Sequence, residues 1–211
     1  MPARHHLYTN GISQRVALVG LCPSAEEVPQ AMSATSAISR DVFAEQQRLF
    51  RQVMGQFATG VTVVTTRVGT ETFGMTANAF MAGSLEPMLC VISINQTAQM
   101  HDRLRRAGHF GVSFLSDEQR HLAAHFAGKR LAGLSPDFEL RGRTPILKRA
   151  LAAATAEIVD TAECGDHTLF VGRIEELAVG SSSRPLLFFG GRYGRLDTGS
   201  PLDVAEPPEF W

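Results

Sequence analysis

A chain of 211 residues with 44% hydrophobic and 19% charged side chains has the balance of an ordinary globular protein, about one domain long. Its formal net charge of −1 provides no basic surface of the kind that nucleic acid or an anionic membrane requires, so neither is expected as a partner. Lysine occurs only at positions 129 and 148, which leaves arginine, with its planar fork of donors, as nearly all the positive charge. Cys22, Cys90 and Cys164 are odd in number and far apart, which argues against a disulfide framework or structural zinc and for a reducing cytoplasm. The apolar run at residues 16–21 is too short to span a bilayer.

Residues 1–38 show no sustained period and are rich in Ser, Ala and Pro, so a loosely ordered extension is expected there, with one domain over 39–198 and a tail over 199–211. From Asp41 the pattern turns helical: Leu49, Phe50, Val53, Met54 and Phe57 share one face, with charges opposite. Gly60 marks the change of period. Residues 61–67 are β-branched almost throughout, Gly69 supplies a turn, and residues 72–80 return as a second strand of a hairpin. A strand is expected at 89–94, a helix at 96–107 and a strand at 109–115. Ser116-Asp-Glu-Gln119 then reads as a capping box opening a helix that Gly128 ends.

Residues 128–144 read as a loop. Two long strands follow at 154–163 and 167–179 around Cys164-Gly165-Asp166, and 186–189 closes the set. Strands dominate and helices act as covers, so the expected fold is mainly β, an antiparallel barrel with a few covering helices. The glycine-rich run Gly190-Gly-Arg-Tyr-Gly194 precedes no helix and lacks the N-terminus that would hold a pyrophosphate, so it is not a Rossmann fingerprint.

Three segments carry candidate chemistry. Gly74-Met75-Thr76-Ala77-Asn78-Ala79-Phe80 puts small and polar residues where a strand normally packs bulky ones, which allows a flat ring to approach the backbone; a glycine-containing bulge is the structural alternative. Ser93-Ile94-Asn95-Gln96-Thr97-Ala98 passes from strand to helix, so its hydroxyls, amide and helix N–H groups could cradle a phosphate or simply cap the helix. Gly165-Asp166-His167 places a histidine in a turn, for a nicotinamide amide or for solvent. His121 and His125 share a helix face, but position 122 is Leu where a zincin carries Glu, and no metal site is expected. His101-Asp102 beside Arg103, Arg105 and Arg106 could meet a dinucleotide phosphate or form a solvated face.

Phe57-Ala-Thr-Gly-Val-Thr-Val-Val-Thr65, Gly74 to Phe80, Ser93-Ile-Asn95, Gly165-Asp-His167 and Pro185-Leu-Leu-Phe-Phe-Gly190, in that order, resemble the short-chain flavin reductase family over about residues 43–196. The resemblance implies a split barrel that binds FMN, usually a homodimer, using NADH or NADPH to reduce FMN or FAD for a separate flavin-dependent monooxygenase. It also implies roles: Gly74, Met75, Thr76, Ala77, Asn78 and Ala79 line the isoalloxazine, Ser93, Ile94, Asn95, Thr97 and Ala98 serve the ribityl and phosphate end, and His167 faces nicotinamide as the catalytic residue. Phe126 and Tyr193 are further contacts. The chain departs from the family pattern at Met81-Ala-Gly-Ser-Leu-Glu-Pro-Met88 and around Thr155-Ala-Glu157, which leaves flavin preference open. A non-catalytic flavin-binding carrier or sensor on the same barrel, or a barrel without a flavin site, remain the alternatives.

Overall fold

The computed structural model describes residues 34–129, 131–180 and 184–196. The chain divides into two compact units, Met1–Ala44 and Glu45–Trp211, and the packing below is that of the second. Helix α1 (Ala34–Met54) starts before Asp41, so residues 34–38 of the expected extension are helical; residues 1–33, with Cys22 and the apolar run at 16–21, lie outside the described residues, as does the tail expected at 199–211. Among the described residues no helix is long and apolar enough to cross a membrane.

Seven strands build the main sheet: β2 (Thr62–Val68), β3 (Glu71–Ala77), β4 (Phe80–Leu85), β5 (Met88–Asn95), β6 (His109–Phe114), β9 (Ala152–Cys164) and β10 (His167–Val179). All pair antiparallel in the order β3-β2-β6-β9-β10-β5-β4. A second sheet joins β1 (Thr59–Gly60), β11 (Leu186–Phe189) and β12 (Arg192–Arg195), and β7 (Phe138–Arg141) pairs with β8 (Thr144–Leu147). Helix α2 (Gln99–Ala107), a 3₁₀ turn at Asp117–Gln119 and helix α3 (Arg120–Phe126) complete the set.

Both the expected antiparallel architecture and its covering helices are present, and the register explains the sequence pattern of β2. Val64 faces a core with Ile92, Ile94, Phe110, Val112 and Phe170, sealed by Met100 and Leu104 of α2. Val61 and Val63 turn the other way, onto Leu115, Leu122, Ala123, Leu147 and Leu186. A strand buried on both faces reads as a continuous apolar and β-branched run without alternation. Each fully buried Phe or Ile of the interior contributes about 1.5–3 kcal/mol relative to an exposed side chain. Cys90 belongs to this interior, where burial pushes its thiol up to about 11 and keeps it neutral at physiological pH.

Three elements differ from the expected ones. The strand expected over 72–80 stops at Ala77, and a new strand, β4, begins at Phe80 after Asn78 and Ala79. The loop expected at 128–144 contains β7 and leads into a hairpin through Gly142-Arg143, in which β7 carries Glu139 and Arg141 while β8 is buried. The Gly190-Gly191 pair is the turn of the β11–β12 hairpin, where φ of 55° and 77° favours glycine.

Candidate functional site

Strands β3 and β4 stand at opposite edges of the seven-stranded sheet, yet only Asn78 and Ala79 separate them in the chain. So short a connection brings the two edges of the curled sheet together at one end without pairing them, and the split between them opens a groove of about 780 Å³. That volume lies in the range of small-molecule sites. Asn78, Ala79 and Ser93 line it together with Phe57, Phe114 and Leu169. The Ser93 amide donates to the Ala79 carbonyl at 3.2 Å, which fixes the linker against β5.

Alternation along β5 and β10 decides which side chains face this groove. In β5, Cys90, Ile92 and Ile94 are buried while Val91, Ser93 and Asn95 point the other way; in β10, Thr168 and Phe170 are buried while His167 and Leu169 are half-exposed. Ser93 pairs with Leu169, and Asn95 with His167. The Asn95–His167 pair therefore lies on the groove face one step beyond Ser93, roughly 7 Å along the strands.

A hydrogen-bonded network occupies that end. His167 Nδ1 lies 2.8 Å from Asp166 Oδ1, and Asn95 Nδ2 donates to Asp166 Oδ2 at 3.2 Å. Asn95 Oδ1 accepts from the Thr97 amide at 2.8 Å and the Thr97 hydroxyl at 2.6 Å. One amide side chain thus ties the β9–β10 turn to the chain entering α2. A carboxylate accepts only, so Asp166 takes the Nδ1–H of His167 and leaves Nε2 for a ligand. The hydrogen bond from His167 holds the Asp166 carboxyl below the usual carboxylate range, so the ionised form persists at neutral pH and is lost only as acidity brings the pH down through that lowered value.

Other expected contacts are committed elsewhere. The flat ring against Gly74 is that of Phe126: a Cβ at position 74 would stand 2.6 Å from Phe126 Cε1, so glycine there admits α3 rather than leaving open strand. The Thr76 hydroxyl donates to the Ala123 carbonyl at 2.7 Å, a second tie to α3. Met75, Ala77 and Ala98 pack against the interior core, and Ile94 lies within it at 0% exposure, leaving only its main chain for a ligand. Tyr193 lines a smaller cavity of about 120 Å³ with Thr76, Ala77 and Asn78, so Asn78 borders both spaces.

The other candidate clusters also resolve. Buried His101 bonds through Nε2 to Thr168 Oγ1 at 3.0 Å, and the Arg103 guanidinium stacks 3.8 Å above Phe73, while Arg105 and Arg106 are exposed. His125 Nδ1 accepts the Leu131 amide at 3.3 Å. Among the described residues, no group of three His, Cys, Asp or Glu side chains could hold a metal ion. Arg130 lies outside the described residues. Groove residues that sequence reasoning missed are Met54, Thr62, Val91, Phe114 and Leu169; the period of two through Ser93 and His167 marks Val91 and Leu169, whereas Thr62 and Phe114 need the β2–β6 pairing.

An antiparallel split barrel with a groove at its split, and a polar, histidine-bearing network beside it on the same sheet face, is a small-molecule-binding class of protein. Residues 54–197 match the flavin reductase like domain, and the chain belongs to that family. It is 39% identical over 153 residues to an NADH-dependent flavin reductase of Rhodococcus sp, covering 70% of this chain and 85% of that one. It is equally 39% identical over 147 residues to the reductase component of 4-hydroxyphenylacetate 3-monooxygenase from Thermus thermophilus, covering 70% and 95%. Among solved structures, the flavin reductase PheA2 in its native state superposes with a TM-score of 0.70 at 42% identity, covering 72% of this chain and 98% of that one.

The Gly74–Phe126 contact yields a test of the site's support. Gly74→Ala is expected to destabilise the protein by about 1–3 kcal/mol through overpacking, measured by urea unfolding. In the Phe126→Ala background the added methyl should cost almost nothing, a coupling that a double-mutant cycle detects.

Proposed function

We propose that this chain is an NAD(P)H-dependent flavin reductase that reduces FMN or FAD by hydride transfer and supplies the reduced flavin to a separate monooxygenase. The observation that carries the reading is the groove, with main chain at Asn78 and Ala79, a small polar floor at Ser93 and apolar walls, together with the Asn95–Asp166–His167 network that follows Ser93 on the same face of the sheet. These residues fit a flavin, whose faces are apolar and whose ring edge and phosphate are polar. When bound, flavin accepts a hydride from the nicotinamide, so the protein's task is to stack, orient and exclude water.

The chain's own groups divide that task. Asn78 and the main chain at Ala79 meet the polar edge of the ring, Ser93 and Leu169 form the floor, and the first amides of α2, positioned by the Asn95–Thr97 hydrogen bonds, hold the phosphate end. The first-turn N–H groups of a helix lack intrahelical acceptors, which suits them to an anion without lysine. His167, its tautomer set by Asp166, presents Nε2 to the nicotinamide amide. No proton must be removed from either substrate for hydride transfer, so His167 acts by positioning nicotinamide.

Helix α1 supports a homodimer. Leu49, Phe50, Val53 and Met54 are 57%, 64%, 52% and 53% exposed, and Phe57 beyond the helix is 76% exposed. A contiguous apolar face of this kind marks an interaction surface. Met54 and Phe57 also line the groove, so a partner copy covering this face would help close the site. The cysteine usage supports a cytoplasmic setting for this assembly.

Purified protein is expected to oxidise NADH or NADPH at 340 nm only when FMN or FAD is added; tight flavin binding without turnover would favour the carrier or sensor reading. His167→Ala should raise the KM for the nicotinamide by about tenfold, with a smaller effect on kcat, as loss of a hydrogen bond made equally in ground and transition states would do. Sedimentation equilibrium should return twice the chain mass for the wild type and the chain mass for Phe50→Asp; a monomeric wild type would contradict the dimer.

A further inference from the structure

The cavity bordered by Asn78 and Tyr193 does not end at the tyrosine. Tyr193 also lines a pocket of about 270 Å³ whose lining includes Asp117, Arg120, Gly194 and Arg195. Three spaces thus run in series: the groove shares Asn78 with the middle cavity, and that cavity shares Tyr193 with the arginine pocket. Phe188 holds the Tyr193 ring at 5.7 Å in an edge-on contact, so the shared wall has a fixed orientation.

The charge of the last pocket is uneven. Asp117 is engaged by Arg184, whose Nε stands 3.3 Å from Asp117 Oδ2. Among the described residues, Arg120 and Arg195 have no carboxylate within ion-pair distance, and Arg120 stands 6.0 Å from the Tyr193 ring centre, at the limit of a cation–π contact. Two arginine forks beside an aromatic face suit a phosphate joined to a purine base: guanidinium groups bind phosphate oxygens in pairs, and aromatic and arginine planes stack on bases.

We infer that the Arg120–Arg195–Tyr193 pocket binds the phosphate-bearing adenosine end of a dinucleotide and so sets which nucleotide the enzyme prefers. The inference rests on the flavin reductase reading. On that reading, the single phosphate of a flavin mononucleotide is held by the first amides of α2, beside the groove. A second anion-binding site, linked to that groove by the shared lining residues Asn78 and Tyr193, fits a ligand with a second nucleotide. FAD and a nicotinamide dinucleotide both carry this chemistry, and kinetics separate them.

The experiment compares wild type, Arg120→Ala and the Arg120→Ala/Arg195→Ala double variant of the full chain, with FMN or FAD as acceptor and NADH or NADPH as donor. If the pocket serves the flavin, the double variant raises the KM for FAD by about tenfold or more and leaves that for FMN unchanged. If it serves the pyridine nucleotide, the KM for NADH or NADPH rises by the same factor with either flavin. In both cases kcat holds, and Arg120→Lys restores only part of the loss, because lysine keeps the charge without the fork. An active double variant whose KM values all match wild type overturns the inference. A wild type without flavin-dependent turnover refutes the reductase reading instead; calorimetry with ADP then decides the pocket, where binding lost in the double variant supports it and no binding by wild type overturns it.

Discussion

The two-residue link between β3 and β4 is the constraint on which the site depends. These strands are the edges of one seven-stranded sheet, and Asn78-Ala79 permits no distance between them at that end. A twisted antiparallel sheet of this size curls, and here the short link fixes where the edges come closest without pairing. The carbonyls of Asn78 and Ala79 accept from Phe80 and Ser93, but their N–H groups, which a ladder would otherwise consume, have no main-chain acceptor among the described residues, beside a strand whose outward residues are Val91, Ser93 and Asn95. Closing the barrel by hydrogen bonds would remove the groove.

Support for this geometry comes from both sides of the sheet. Inside, the Phe110 and Phe170 cluster with Met100 and Leu104 of α2 holds β5 and β10 so that His167 and Asn95 emerge at one level. Outside, α3 is tied to β3 by the Phe126 ring on Gly74 and by the Thr76 hydroxyl on the Ala123 carbonyl. Glycine and threonine in β3 thus serve the strand's back, and the groove lining begins at Asn78, where the strand ends. The Asp166–Asn95 hydrogen bond then couples the histidine-bearing turn to the start of α2, so the two polar functions at that end are set by one small network.

Much of this was legible in the sequence. The hairpin of β2 and β3, the long pair β9 and β10 and the capping box at Ser116–Gln119 follow from β-branched runs and turn residues, which are local signals. Strand β4 was not, because Met81-Ala-Gly-Ser carries no β-branched run and sits at a sheet edge, where packing asks little of it. The β7–β8 hairpin was hidden by Glu139, Arg141 and Arg143, charges that face solvent. Within the candidate site, Asn78, Ser93 and His167 could be singled out from residue type and order, whereas what packs on Gly74 could not: its missing side chain accommodates a phenylalanine 52 positions later, a long-range contact that no local pattern reveals.

The most direct test of the central claim is flavin binding by a Ser93→Phe variant, followed by quenching of FMN fluorescence. Ser93 is half-buried on the groove face and away from the core, so a phenyl ring there fills the groove while the fold is kept, which circular dichroism checks. Wild type is expected to bind FMN, and the folded variant is expected not to. A folded Ser93→Phe protein that binds FMN as tightly as wild type would place the flavin elsewhere and contradict the site described above.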